Sequence, residues 1–124
     1  MNALNAAGWT IRVTGLALVV LGLLLWVDVA TGLRSIHMLL GLVLVVALVT
    51  AATLALRAGA KPILPVIAIA WAILTLVLGM TQTQMLPGDG HVLVEVAHLL
   101  VGIVAIGLGE ALVASGRRGA RATA

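Results

Sequence analysis

The chain has 124 residues, 63% of them hydrophobic and 9% charged, with a mean hydropathy of +1.28 and a formal net charge of +3. Soluble domains carry about 25% charged residues, so this composition excludes a water-soluble globular fold. The absence of cysteine excludes disulfides, thiolate zinc sites, iron–sulfur clusters and Cys-attached haem. The seven Lys and Arg residues are scattered except for Arg117, Arg118 and Arg121 near the C-terminus. That pattern points to a lipid bilayer surface and not to nucleic acid.

Taken in chain order, four segments reach membrane-spanning length, for which about 20 apolar residues are needed. The first, about 11–30, has a charge-free core of fifteen residues between Arg12 and Asp28. Arg12 is expected to snorkel to the interface, with Trp9 and Trp26 as interfacial anchors. Asp28-Val-Ala-Thr-Gly32 then ends helix 1. The second, about 36–57, follows Arg34 with twenty-two uncharged residues before Arg57. Arg57-Ala-Gly-Ala-Lys61-Pro62 breaks the chain, and Pro62 and Pro65 suit the first turn of helix 3. The third, about 62–84, lies in a stretch of twenty-seven uncharged residues between Lys61 and Asp89. Pro87-Gly-Asp-Gly90 is a turn cluster, and the fourth segment, about 91–115, ends near Gly116.

These segments predict an all-α fold, an integral membrane four-helix bundle forming a single domain over 1–124. Arg12, Arg57, Lys61, Arg117, Arg118 and Arg121 fall on one side and Arg34 alone on the other. By the positive-inside rule both termini are cytoplasmic, in a multi-pass protein of the cell inner (plasma) membrane. The glycines at 15, 22, 79, 102, 107 and 109 are expected to permit close helix packing.

The halves of the chain read as tandem helical hairpins. Placing His37-Met-Leu-Leu-Gly41 on His98-Leu-Leu-Val-Gly102 also aligns Leu39 with Leu100 and Val43 with Val104, and Leu21-Gly22 matches Leu78-Gly79. Helices 2 and 4 run the same way, so His37 and His98 approach the same outer face. Polar side chains in hydrocarbon are costly and need a reason. Two imidazoles on facing helices can ligate one haem iron from opposite sides, whereas two histidines cannot complete a tetrahedral zinc site. Gly41 and Gly102, four residues beyond each histidine, leave room for a flat macrocycle, and Arg34 is placed to pair with a haem propionate.

The remaining polar residues have other uses. His91, Glu95 and His98 share a helical face, and Glu95-Val-Ala-His98 has the Glu-x-x-His spacing of di-metal bundles. The equivalent position before His37 is Arg34, a cation, which argues against a dinuclear site. Glu95 then either tunes an imidazole or pairs with His91. Glu110 is expected to pair with a basic residue, and Trp71 to fill the bundle or stack on a cofactor.

The histidine opening helix 2, the histidine on helix 4 sixty-one residues later, and Leu78-Gly-Met-Thr-Gln-Thr-Gln-Met-Leu-Pro87 ahead of His98-Leu-Leu resemble one four-helix half of the haem A synthase family. The resemblance implies that His37 and His98 are the haem-ligating pair. The family's reactive half carries a glutamate three residues before the helix 2 histidine, where this chain has Arg34. Haem binding is therefore implied more directly than haem hydroxylation. The expected function is that of a bis-histidine b-type cytochrome with one haem per chain, transferring electrons with other membrane subunits, within a respiratory or photosynthetic complex, or as a homo-oligomer. The alternatives are a cofactor-free accessory or assembly subunit and a haem-modifying enzyme.

Overall fold

A computed structural model describes residues 2–122. Its four long helices are α1 (Ala3–Trp26), α2 (Arg34–Arg57), α3 (Ile63–Thr81) and α4 (His91–Ala122), with single 3-10 turns at Thr31–Leu33, Gln82–Gln84 and Gly88–Gly90. All four are long and apolar enough to cross a membrane, and large apolar side chains such as Val13, Leu16, Leu39, Ile73 and Leu93 face outward. The chain is a multi-pass membrane four-helix bundle.

Helix ends follow local chemistry. Asp28, at φ 55°, takes the left-handed position after α1. The Asp28 and Val29 N–H groups donate back to the carbonyls of Leu25 and Leu24, closing a Schellman motif. Gly59, at φ 85°, does the same after α2, with Gly59 and Ala60 N–H reaching Leu56 and Ala55. Pro65 sits in the first turn of α3, where a missing N–H costs nothing.

Two boundaries differ from the sequence expectation. The first helix covers Ala3–Trp26 and not 11–30. Asn2 caps it, its side chain accepting the Asn5 N–H at 2.9 Å, and Asp28 stops it before Gly32. The fourth helix continues through Gly116 to Ala122, because Gly116 is buried against α1 and α2 and does not serve as a stop.

Connectivity is up-down-up-down. One end, here the basic end, carries both chain ends, the α2–α3 loop, Arg57, Lys61, Arg117, Arg118 and Arg121. The other, the histidine end, carries the α1–α2 and α3–α4 loops. Neighbouring helices pack in sequence order and α1 closes on α4. Across the middle α2 approaches α4, whereas no Cα of α1 comes within 8 Å of one in α3 among the described residues. The cross-section is a rhombus whose short diagonal joins α2 and α4.

The α1–α4 seam explains how the helices come so close. On α1, Leu4 and Ile11 alternate with Gly8 and Gly15; on α4, Ile106 and Val113 alternate with Gly109 and Gly116. Each set repeats every seven residues, and the antiparallel register sets every glycine opposite a large aliphatic. A Cβ on Gly8 would lie 2.7 Å from Val113 Cγ2, on Gly15 2.6 Å from Ile106 Cδ1, on Gly109 2.8 Å from Ile11 Cδ1, and on Gly116 2.5 Å from Leu4 Cδ2. Small residues that admit a partner's side chain in this way drive helix association where lipid removes the hydrophobic contrast. Ala47, Ala51, Ala52 and Ala55 give α2 the same narrow profile, packed with Leu48 and Leu112 in the core.

Gly102 extends the α4 repeat by one heptad, yet a Cβ there would meet nothing within 4 Å. The seam has opened. Burial tells the same story: no residue at 16–26 in α1, 34–43 in α2 or 76–81 in α3 is buried, and of 91–104 in α4 only Val94 is. The bundle is tight toward the basic end and loose toward the histidine end.

Arg12 has a partner from α4: it donates through Nε and Nη2 to both Glu110 carboxylate oxygens at 2.5 and 2.6 Å, and its guanidinium lies 5.0 Å from the Trp9 ring centroid. The ion pair expected for Glu110 thus clamps α1 to α4, with both side chains 42% exposed.

Candidate functional site

His37 is the fourth residue of α2 and His98 the eighth of α4. Because α2 and α4 form the short diagonal, both rings turn into the loose half of the bundle and meet there. Their centroids are 6.2 Å apart and their planes tilted by 54°. Nδ1 of each ring is buried and has no hydrogen-bond partner. A polar nitrogen held out of water without a partner costs on the order of 1–3 kcal/mol, and the molecule accepts that cost at two matched positions.

The flanking helices supply the seats. A Cβ on Gly22 of α1 would lie 3.3 Å from His37 Cε1, and one on Gly79 of α3 would lie 3.4 Å from His98 Cε1. Each histidine therefore rests against a glycine of the other helix in its own hairpin. The Leu21-Gly22 and Leu78-Gly79 match in sequence marks the same contact made twice. These two glycines were read from sequence as general packing residues; their contact with the histidines shows only in three dimensions. Gly22 is also the next heptad position after Gly8 and Gly15, so one repeat supplies both the seam and the seat.

Gly41 and Gly102 play a different part. Neither would bring a Cβ within 4 Å of anything, so they border open space beside their histidines and do not touch another helix. Gly107 is likewise open; of the glycines expected to pack helices, Gly15, Gly22, Gly79 and Gly109 do so, and Gly8 and Gly116 join them.

The other polar residues distribute around this pair. Arg34 opens α2 one turn before His37 and is exposed, and Glu95 lies one turn before His98; neither forms an ion pair among the described residues. His91 donates through Nδ1 to the Met85 carbonyl at 3.1 Å, tying the start of α4 to the preceding loop, so the pairing with Glu95 weighed from sequence is not formed. Trp71 Nε1 donates to the Val101 carbonyl at 2.9 Å while its ring packs against the core, which makes it a strut between α3 and α4. Among the described residues no three His, Asp or Glu side chains are grouped to hold a metal ion, and the di-metal alternative has no ligand set. The arrangement offers two imidazoles, apolar walls and no third protein donor.

No family model, curated protein or solved structure matches the chain.

Proposed function

We propose that the protein is a membrane b-type cytochrome in which His37 and His98 ligate a single haem at the histidine end of the bundle. One observation carries the reading: two half-buried imidazoles converge across the short diagonal with centroids 6.2 Å apart. Rings this close would let both imidazoles act as donors to one metal-bearing group held between α2 and α4.

The donor set fits as well. With two imidazoles and no group of three protein donors among the described residues, the site would suit a metal that arrives with most of its ligands already in place. The buried, unpartnered Nδ1 atoms are polar groups for which a ligand at the pair gives a physical reason, and Gly41 and Gly102 leave the α2 and α4 surfaces flat beside it. When bound, the haem supplies a one-electron carrier. His37 and His98 would hold it, Leu, Val and Ala side chains would exclude water, and Arg34, the cation nearest His37 in sequence, would be available to a propionate.

The resemblance to one half of the haem A synthase family supports haem over other flat ligands. Arg34 in the position of that family's glutamate favours electron transfer over haem modification. The excess of Arg and Lys at the basic end supports a cytoplasmic location for that end, which would leave the haem near the outer face of the inner membrane. A single haem held between membrane helices would exchange electrons with another membrane subunit or a second copy.

The test is a visible spectrum of protein purified from haem-supplied cells. A sharp reduced-state Soret band and a narrow alpha band are expected, with about one haem per chain by pyridine haemochrome. His37→Ala and His98→Ala should each abolish the low-spin bands while the protein stays folded by circular dichroism. A colourless protein that remains colourless with added haem refutes the reading and leaves the accessory-subunit alternative. A haem other than haem b in the extract would favour the modifying enzyme.

A further inference from the structure

The basic end carries Arg57, Lys61, Arg117, Arg118 and Arg121, all exposed. Asp28, Asp89 and Glu95 belong to the histidine end, and Glu110, paired with Arg12, is the one acidic side chain among the described residues close enough to act on Arg117. Two of these arginines are built into the fold. α4 runs to Ala122, and its last turns are seated by glycine. A Cβ on Gly116 would press on Leu4 and Ala55, and one on Gly119 would strike the backbone of the α2–α3 loop at Ala58, Gly59 and Ala60. Arg117 is further held by Nε and Nη2 donating to Asn5 Oδ1 at 3.2 and 2.8 Å.

Arg117 and Arg121, one helical turn apart, line a pocket of about 370 Å³ between the start of α1, the end of α2 and α4. Asn2 stands at its edge, and Leu4, Leu54 and Ala58 form an apolar wall. The pocket lies level with the end of the membrane-spanning helices, where phospholipid headgroups lie. Two guanidinium forks over an apolar wall match a phosphate that carries an acyl glycerol. Basic pockets between helices at such a level are lipid headgroup sites in other membrane proteins.

We propose that this pocket binds the headgroup of an anionic phospholipid, its phosphate held by Arg117 and Arg121 and its glycerol end against Leu4 and Leu54. The site is independent of the histidine pair. A freely dissolved phosphate would use the same arginines but gain nothing from the apolar wall.

The experiment uses the full chain in neutral detergent, with phosphatidylglycerol, phosphatidylcholine and inorganic phosphate as probes. Binding is read as the rise in Tm, followed by tryptophan fluorescence, and as lipid retained in native mass spectra. Phosphatidylglycerol should stabilise and be retained while phosphatidylcholine is not. A charge-assisted hydrogen bond to a phosphate is worth roughly tenfold in binding, so Arg121→Gln should weaken phosphatidylglycerol binding about tenfold and the Arg117→Gln/Arg121→Gln pair by more, on the order of a hundredfold. Arg118→Gln, off the pocket, should leave it unchanged, and Arg117→Lys/Arg121→Lys should restore most of it. The single Arg121→Gln change keeps the test decisive if the double variant unfolds, because the Arg121 side chain makes no ion pair or hydrogen bond among the described residues. Equal binding of phosphatidylcholine, an equal loss with Arg118→Gln, or equal stabilisation by inorganic phosphate would each overturn the proposal.

Discussion

Replacing Glu110 by Gln isolates the energetics of the α1–α4 clamp. In the native protein the Arg12 guanidinium meets both carboxylate oxygens at 2.5 and 2.6 Å, with both side chains 42% exposed. The substitution keeps the shape of the acceptor and removes its charge. The two-pronged geometry is good, but solvent screens a pair this exposed, and such pairs contribute about 0.2–1 kcal/mol. Glu110→Gln should therefore destabilise the bundle by up to about 1 kcal/mol. Arg12→Leu removes the same attraction, so Arg12→Leu/Glu110→Leu should cost less than the two single changes together. The assay is reversible unfolding in mixed micelles as the mole fraction of denaturing detergent rises, analysed as a double-mutant cycle. A cost for Glu110→Gln above about 2 kcal/mol, or single-variant costs that simply add, would refute the reasoning.

Two further predictions follow from the site. Gly22→Val and Gly79→Val should each push an imidazole from its seat, costing about 1–3 kcal/mol of overpacking and sharply lowering the haem retained per chain. Gly41→Ala should leave both stability and retention near native, and equal behaviour of the three variants would contradict the seat. Trp71→Phe removes the Nε1 bond to Val101 and should lower stability by about 0.5–1.5 kcal/mol in the same unfolding assay, with the visible spectrum unshifted. A spectral shift would mean that Trp71 touches the chromophore.

The architecture was legible because charge is so scarce. Twenty-two and twenty-seven uncharged residues between Arg34 and Arg57 and between Lys61 and Asp89 leave few alternatives to spanning helices. Charge was less informative where its partner was remote. The basic partner of Glu110 goes unidentified until Arg12, ninety-eight positions away, is brought beside it, and the start of α1 at Ala3 is set by the Asn2 cap. The convergence of His37 and His98 was legible from the repeat. Their seats were not, because Gly22 and Gly79 differ from the other glycines only in what faces them. The seven-residue spacing of Gly8, Gly15 and Gly22 against Gly102, Gly109 and Gly116 was written in the chain. Which aliphatic enters which glycine depends on the α1–α4 register, and no single segment specifies that.

The opening of the α1–α4 seam divides the molecule's stability unevenly along its axis. Amides of Ile11, Leu48 and Leu112, at the tight end, should exchange with solvent deuterium only through global unfolding. Those of 16–26 and 34–43 are free to exchange through local separation of helix ends. A protein built in this way breathes at one end while clamped at the other. A broad, rigid ligand could then slide sideways between the helices at the histidine end, and the fold need not come apart to admit it.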